Sequence, residues 1–474
     1  MKWRTTISDP IRLLLFGAGN RGEQAYGAYA LAHPDHVRFV GVAEPNPIRS
    51  ERFAQAHRIP PKRQFSDWRE ALQPGKFADA VVNATQDAMH HASALAALSM
   101  GYDMLLEKPI APTLAETLEI VHTAEVNGKL LMICHVRRYT DFFENTRRII
   151  QFGQLGQVIN LSHSENVAYY HMAHSYVRGN WRNKAMSAPM ILAKCCHDLD
   201  LMTWCLGEKA EQLSSVGNLR HFKQKNAPAG APKRCTDGCP AAETCPYYAP
   251  RIYLQSIPIK HAVSQSDKWA FRRIGKLTLN QPGLMQTIGK IISPLRTLTE
   301  YHGWPRITIC EQPEDDQAVM HALRTGPYGR CVYHCDNDVV DHQIVSMIFE
   351  SGITGTLTMH GHSHQEGRTL RVDGSHATLL GKATYSQCWL EIHHHTTAKV
   401  DRLTFPTEVD GAGWHGGGDQ GLMRRFIDVI RGDATPLTSA HESLEGHLLA
   451  FAAEEARLKQ QVIDMREFRQ RTLT

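Results

Sequence analysis

The first third of the chain alternates short apolar runs with amphipathic stretches. Ile11–Phe16, Val37–Ala43, Ala78–Ala84, Asp103–Leu106 and Leu130–Cys134 are continuously apolar enough to predict strands buried on both faces. Glu23–Ala32, His90–Met100 and Leu114–Asn127 predict helices between them, the last two stopped by Gly101 and Gly128. This alternation predicts a parallel, doubly wound sheet. Ligands bind such a sheet at the carboxyl ends of its strands, where Gly17, Thr85, Glu107 and Lys108 fall. Farther along, Val340–Glu350, Thr354–His360, Thr369–Asp373 and Cys388–His393 alternate apolar and polar residues, predicting an open, mostly antiparallel sheet. Helices at Leu422–Arg431 and Ser439–Gln461 close the chain. The expected fold is α/β: a doubly wound domain over 1–133, then an α+β domain over 134–474 with a cysteine-containing insert at about 216–335.

The first strand runs into Gly17-Ala18-Gly19-Asn20-Arg21-Gly22, a GxGxxG spacing that opens a helix. Its glycines serve a tight turn, close approach of backbone to a pyrophosphate, and close helix–strand packing. The second strand ends at Glu44, 22 positions after Gly22, where a dinucleotide-binding domain sets an acid against the ribose 2′-hydroxyl. A carboxylate there repels a 2′-phosphate, which favours NAD over NADP; Arg49, close behind, keeps NADP open.

Gly17–Gly22, Glu44, His90 before an Ala-rich helix, and above all Glu107-Lys108-Pro109 resemble the glucose–fructose oxidoreductase and inositol dehydrogenase (Gfo/Idh/MocA) family. The resemblance implies an N-terminal Rossmann domain and a C-terminal domain that binds substrate and forms homo-oligomers through its sheet. It implies cofactor contacts at Gly17, Gly19, Asn20, Arg21, Gly22, Glu44, Thr85, His90, Glu107 and Lys108. Cys134–Tyr139 looks like the strand leading into the second domain, which brings His135 and Tyr139 toward substrate; Cys196–Asp200 looks like the catalytic helix. Lys108 then contacts substrate and nicotinamide, and His197 is the acid/base. Many relatives carry an aspartate four residues before that histidine; here the position is Ala193, beside Lys194, so the proton relay differs from the usual Asp–His arrangement or substrate occupies the gap, and Asp198, which follows, is a candidate substrate residue.

Histidine ordinarily titrates near neutrality and suits removal of a hydroxyl proton, while a lysine steadies a developing alkoxide. Glu165–Asn183 gathers Tyr170, His174, Arg178, Trp181 and Arg182, a mixture of aromatic faces and polar groups that suits a sugar. Trp414–Asp419 adds His415 to the expected substrate residues, with Asp419 as the N-cap of the following helix.

Cys235, Cys239, Cys245 and Cys331 fall in a stretch without sheet pattern. They are candidates for a structural zinc, with an iron–sulfur cluster or plain packed thiols as alternatives. His393-His394-His395 reads as solvated strand, because successive residues face opposite ways. The net charge of +4 is small and no basic stripe stands out, so nucleic acid is not expected as a partner. No apolar run suits a membrane span or a secretory leader, and the eleven cysteines fit a reducing cytoplasm. The expected activity is NAD-dependent hydride transfer from a secondary alcohol of a sugar, sugar derivative or polyol. A glycoside hydrolase using transient sugar oxidation, and a non-catalytic NAD sensor, are the competing readings.

Overall fold

The computed structural model describes residues 9–408 and 414–473. The chain forms two compact units: residues up to Thr140 with Gly417–His447, and Asp141–Gly416 with Leu448–Thr474. The C-terminal part is therefore not one continuous domain, because the helix Gly418–Arg431 packs into the first unit. Its Leu422, Met423, Phe426 and Ile427 share a core with Leu13, Leu15, Val82 and Tyr139.

In the first unit, β1 (Ile11–Phe16), β2 (Val37–Ala43), β3 (Gln64–Phe65), β4 (Ala80–Asn83), β5 (Asp103–Leu106) and β6 (Leu131–Ile133) form a parallel sheet in the order β3-β2-β1-β4-β5-β6. Leu13 to Phe16 and all of β4 are buried, as continuous apolar runs require. This is the Rossmann order, with its reversal between β1 and β4, where the glycine loop leaves the sheet.

The second unit holds a nine-stranded sheet of β7 (Val158–Ala168), β8 (Ala210–Asn218), β9 (His342–Phe349), β10 (Thr354–Ser363), β11 (Gly367–Gly374), β12 (Ala377–Thr384), β13 (Cys388–His394), β14 (Val400–Thr404) and β15 (Ile463–Asp464). Its order is β14-β13-β12-β11-β7-β10-β9-β8-β15, antiparallel except for the β7–β10 pair. In β9 exposed and buried residues alternate strictly: Val345, Met347 and Phe349 are buried, whereas Ile344 and Ile348 are exposed.

The cysteine-bearing stretch is not irregular as its composition suggested. It contains helices at Ala249–Tyr253, Ile257–Ser264, Trp269–Asn280, Pro282–Gly289, Ser293–Thr299 and Asp316–Thr325. Ala249, Ile252, Tyr253, Val319 and Leu323 give it a small core of its own, shared with Tyr170 and Cys235.

Candidate functional site

The glycine loop meets the needs that its spacing predicts. Gly17 has φ +86, and a Cβ there would lie 2.7 Å from the Ala84 carbonyl oxygen. A Cβ on Gly22 would lie 2.1 Å from the Gly17 oxygen. At Gly19 a Cβ would meet nothing within 4 Å, so this backbone faces open space. The Asn20 Oδ1 is buried without a hydrogen-bond partner. Open space over Gly19 and an unused acceptor beside it fit a dinucleotide cradled between β1 and β4.

Glu44 stands at the end of β2, nearly buried. Its Oε2 accepts from the Ala18 amide at 2.8 Å and its Oε1 from the Asn46 amide at 2.9 Å. The acid is thus hydrogen-bonded to the glycine loop itself. On β4's exit, the Thr85 hydroxyl donates to Asn83 Oδ1 at 2.8 Å. His90 is fully buried between the Pro109 and Thr85 carbonyls, at 2.8 and 3.2 Å. That contact makes His90 a brace tying β4's exit to the loop after β5.

Glu107 and Arg21 form the electrostatic centre of this edge. Arg21 Nε donates to Glu107 Oε1 at 2.6 Å, and its Nη2 to Asp419 Oδ1 at 2.6 Å. The Tyr26 hydroxyl donates to the same Glu107 oxygen and accepts from Arg21 Nη2. Burial alone would raise the Glu107 carboxyl, but Arg21 and Tyr26 outweigh it and hold it below the usual range. Arg21 and Glu107, both expected at the cofactor, are thus paired with each other. Asp419 is inside the helix, not its cap; Gly417 occupies the cap position. Lys108, half-buried, follows directly, and its amide donates to Glu107 Oε2 at 3.2 Å.

His135 and Tyr139 are buried within the first unit. His135 packs against His447, and the Tyr139 hydroxyl pairs with Thr438 Oγ1 at 2.8 Å. Both, expected as substrate contacts, are engaged in packing within this unit.

In the second unit, His197 lies in the first turn of the helix Cys196–Leu206 and is 8% exposed. Asp198, expected to touch substrate, is fully buried. Its Oδ1 accepts from Arg368 Nε at 2.7 Å and faces His163 Nε2 at 2.8 Å. Burial alone would raise its carboxyl; Arg368 and His163 outweigh that and hold it well below the usual range. Arg368 also pairs with buried Glu165, which lies 3.2 Å from Lys194 Nζ. Lys194 reaches Glu366 at 3.0 Å, and Glu366 faces His171 Nδ1 at 3.0 Å. Burial would lower the Lys194 pKa, but Glu165 and Glu366 raise it, so the ammonium is firmly charged. Glu165, His163, His171, Glu366 and Arg368 were missed as a network. The one signal was charge at alternating positions of buried strands: Glu165 and His163 on β7, and Arg368 on β11 with Glu366 just before it.

The segment expected to form a substrate loop folds inward. Tyr170, His174 and Arg178 are buried. His174 Nδ1 meets the Tyr253 hydroxyl at 2.9 Å and Nε2 the Thr308 hydroxyl at 3.1 Å, so both ring nitrogens are engaged within the insert. Arg182 pairs with Asp336 at 2.9 Å, and the Trp181 ring lies tilted against Tyr176, centroids 6.2 Å apart. His415 adopts φ 54, beside residues 409–413, which lie outside the described part. Tyr170, His174 and Arg178, expected as substrate residues, thus lie buried in the packing of the second unit.

Cys235, Cys239, Cys245 and Cys331 do meet, lining one cavity with Arg178, Tyr247 and Tyr333. Burial pushes the Cys331 thiol up to about 11 and raises Cys245. Among the described residues, however, no three His, Cys, Asp or Glu side chains are set to hold a metal ion. The structural zinc expected from the spacing is therefore unsupported.

A parallel sheet in Rossmann order, with a glycine loop and an acid at the end of β2, is the arrangement of a dinucleotide-binding fold, and an open, mostly antiparallel sheet follows it in the chain. Residues 11–135 match the GFO_IDH_MocA model, described as an oxidoreductase family with an NAD-binding Rossmann fold. The matched stretch contains the glycine loop and Glu107-Lys108-Pro109, the residues that carried the resemblance. It is 27% identical over 226 residues to inositol 2-dehydrogenase of Rhodococcus jostii, covering 47% of this chain and 56% of that protein. It is 28% identical over 192 residues to trans-1,2-dihydrobenzene-1,2-diol dehydrogenase of Bos taurus, covering 38% and 52%. The chain spans about half the length of these curated relatives. The crystal structure of an oxidoreductase from Agrobacterium radiobacter in complex with NAD+, L-tartaric acid and magnesium shares the fold, with a TM-score of 0.61 and 14% identity over 96% of this chain and 99% of that one. Among the described residues no helix is long and apolar enough to cross a membrane.

Proposed function

We propose that this protein oxidises a secondary alcohol of a sugar, sugar derivative or polyol, with NAD as the hydride acceptor when bound. The observation that carries this reading is local to the first unit. Arg21 of the glycine loop clamps Glu107, so Lys108 leaves the carboxyl end of β5 at the same edge as the loop that faces open space. In this reading Lys108 steadies the negative charge that develops on the substrate oxygen, and His197 takes the hydroxyl proton. The names of the inositol and dihydrodiol dehydrogenases point to the same class, a secondary alcohol on a small ring. Glu44 favours NAD by repelling a 2′-phosphate. The free thiols suit a reducing cytoplasm. The exposed face of the large sheet, where Val216 lies opposite Ile344 and Ile348 follows on the same strand, suits pairing with a second copy.

The test is a panel of sugars, polyols and aryl glycosides incubated with the purified protein and NAD. NADH formed with at least one sugar or polyol supports the reading. Aglycone released without net NADH moves the assignment to a redox-assisted hydrolase. NAD binding with neither product leaves a sensor.

A further inference from the structure

Three helices of the second unit carry large apolar residues that face solvent. Trp269–Asn280 packs on Ile257–Ser264, Pro282–Gly289 packs on Trp269–Asn280, and Ser293–Thr299 packs on Pro282–Gly289. Their inner faces are already closed. A methyl on Gly275 would lie 2.4 Å from the Ser264 amide nitrogen, and one on Gly289 would lie 2.6 Å from the Thr299 hydroxyl. Thr278 and Met285 are buried with these glycines. Left outside are Ile291, 84% exposed, and Trp269, 70% exposed, together with Leu284 and Ile292. Exposed apolar side chains gathered in one stretch mark a surface that another body covers.

The charge of this surface says what covers it. Lys268, Arg272, Arg273, Lys276, Lys290 and Arg296 fall between Asp267 and Glu300, and no acidic residue lies between those two. Asp267 accepts from Gln387, and Glu300 pairs with Arg296. Among the described residues no carboxylate pairs with Arg272, Arg273, Lys276 or Lys290. Trp269, Arg273 and Lys276, spaced four and three apart, share the side of their helix that faces away from Gly275 and Thr278.

A second copy of the chain, docked through a twofold axis, would set these cations against their own images. A nucleic acid would take the cations and Trp269, but Leu284, Ile291 and Ile292 offer a base no aromatic face to stack on. An anionic bilayer takes both sets at once. Aliphatic and indole side chains enter the boundary between headgroups and acyl chains, while the cations stay among the headgroups. Among the described residues no helix is long and apolar enough to cross a membrane, so the contact is with its surface. We propose that the segment from Lys268 to Arg296 docks this protein on the surface of a bilayer that carries anionic lipids. The proposal is independent of the dehydrogenase reading.

Flotation of the full chain with vesicles of phosphatidylcholine, with and without phosphatidylserine, tests this. The protein is expected to float with the phosphatidylserine vesicles at low salt, to be released as salt rises, and to ignore phosphatidylcholine alone. Arg273→Glu with Lys276→Glu should weaken vesicle binding at least about tenfold. Trp269→Ser with Ile291→Ser, which leaves the charge unchanged, should weaken it at least about tenfold as well. All four side chains are exposed, so the melting temperature should stay put; where a pair lowers it, Leu284→Ser takes the place of that pair. Equal flotation with both kinds of vesicle overturns the proposal, and so does no flotation at all. Loss of binding from the charge pair with none from the apolar pair makes the surface a general polyanion site, and the proposal falls. An oligonucleotide bound more tightly than the phosphatidylserine vesicles has the same consequence.

Discussion

Arg21 and Glu107, 86 residues apart, meet in an ion pair of 2.6 Å that fixes the glycine loop to the carboxyl end of β5. The same guanidinium grips Asp419 from the returning helix, so one cation ties together three segments of the first unit. Removing it leaves two nearly buried carboxylates uncompensated. Arg21→Ala is expected to destabilise the first unit by about 3 kcal/mol at pH 7. The pH dependence has a definite sign. Glu107 has a depressed pKa in the folded state, so its contribution is present above the unfolded carboxyl value and is lost as pH falls through the folded one. Urea titrations at pH 7 and pH 4 should show the gap between the wild type and Arg21→Ala narrowing in acid. An unchanged gap would refute the coupling.

The glycine loop makes a sharper steric prediction. A methyl on Gly22 collides with the Gly17 carbonyl, whereas one on Gly19 meets no protein atom. Gly22→Ala should therefore lower the melting temperature, by calorimetry, before any nucleotide is added. Gly19→Ala should fold normally and weaken NADH binding at least about tenfold, because the methyl fills the approach to the backbone. Normal NADH affinity in Gly19→Ala would place the cofactor elsewhere.

Glu44 should give NADH an advantage over NADPH. Glu44→Ala should narrow that advantage by about tenfold or more, since it removes both the repulsion of a 2′-phosphate and an acceptor for the ribose hydroxyl. Isothermal titration of both nucleotides measures it. The anchoring of Glu44 to the Ala18 and Asn46 amides predicts some loss of loop order as well. Rescue by Glu44→Gln of folding but not of discrimination separates the two roles.

The first unit was legible because each of its signals is local. A buried strand is a run of apolar residues, and β1, β2 and β5 begin and end where those runs do. The second unit was less legible for an equally physical reason. Asp198, His174 and Arg178 look like surface chemistry along the chain, yet each is satisfied by a residue far away in sequence: Arg368, Tyr253 and the Arg330 carbonyl. Polar residues that are buried in pairs carry no local mark of burial. The cysteines illustrate both sides. Their grouping around one cavity was readable, but whether four thiols are set to hold a metal depends on three-dimensional spacing that no sequence interval contains.

Lys108 and His197 form the catalytic assignment, and they must behave differently from Asp198 to sustain it. Lys108→Ala and His197→Ala should each lower kcat by about 10²–10⁴-fold, the usual contribution of a positioned acid–base group, while NADH binding and the melting temperature change little. Asp198→Ala should do the reverse in one respect. It takes a partner from buried His163 and one of the two carboxylates that hold Arg368, the other being Glu165, so the expected effect is a loss of stability of about 3 kcal/mol, with catalysis falling only as the fold loosens. Asp198→Asn, which keeps the shape and part of the hydrogen bonding, should recover some of that stability. Steady-state kinetics and urea denaturation of the four variants decide the matter together. A stable Asp198→Ala protein with a raised KM would return Asp198 to the substrate site. A His197→Ala enzyme with near-normal kcat would take the proton transfer away from His197 and leave Lys108 as the candidate base.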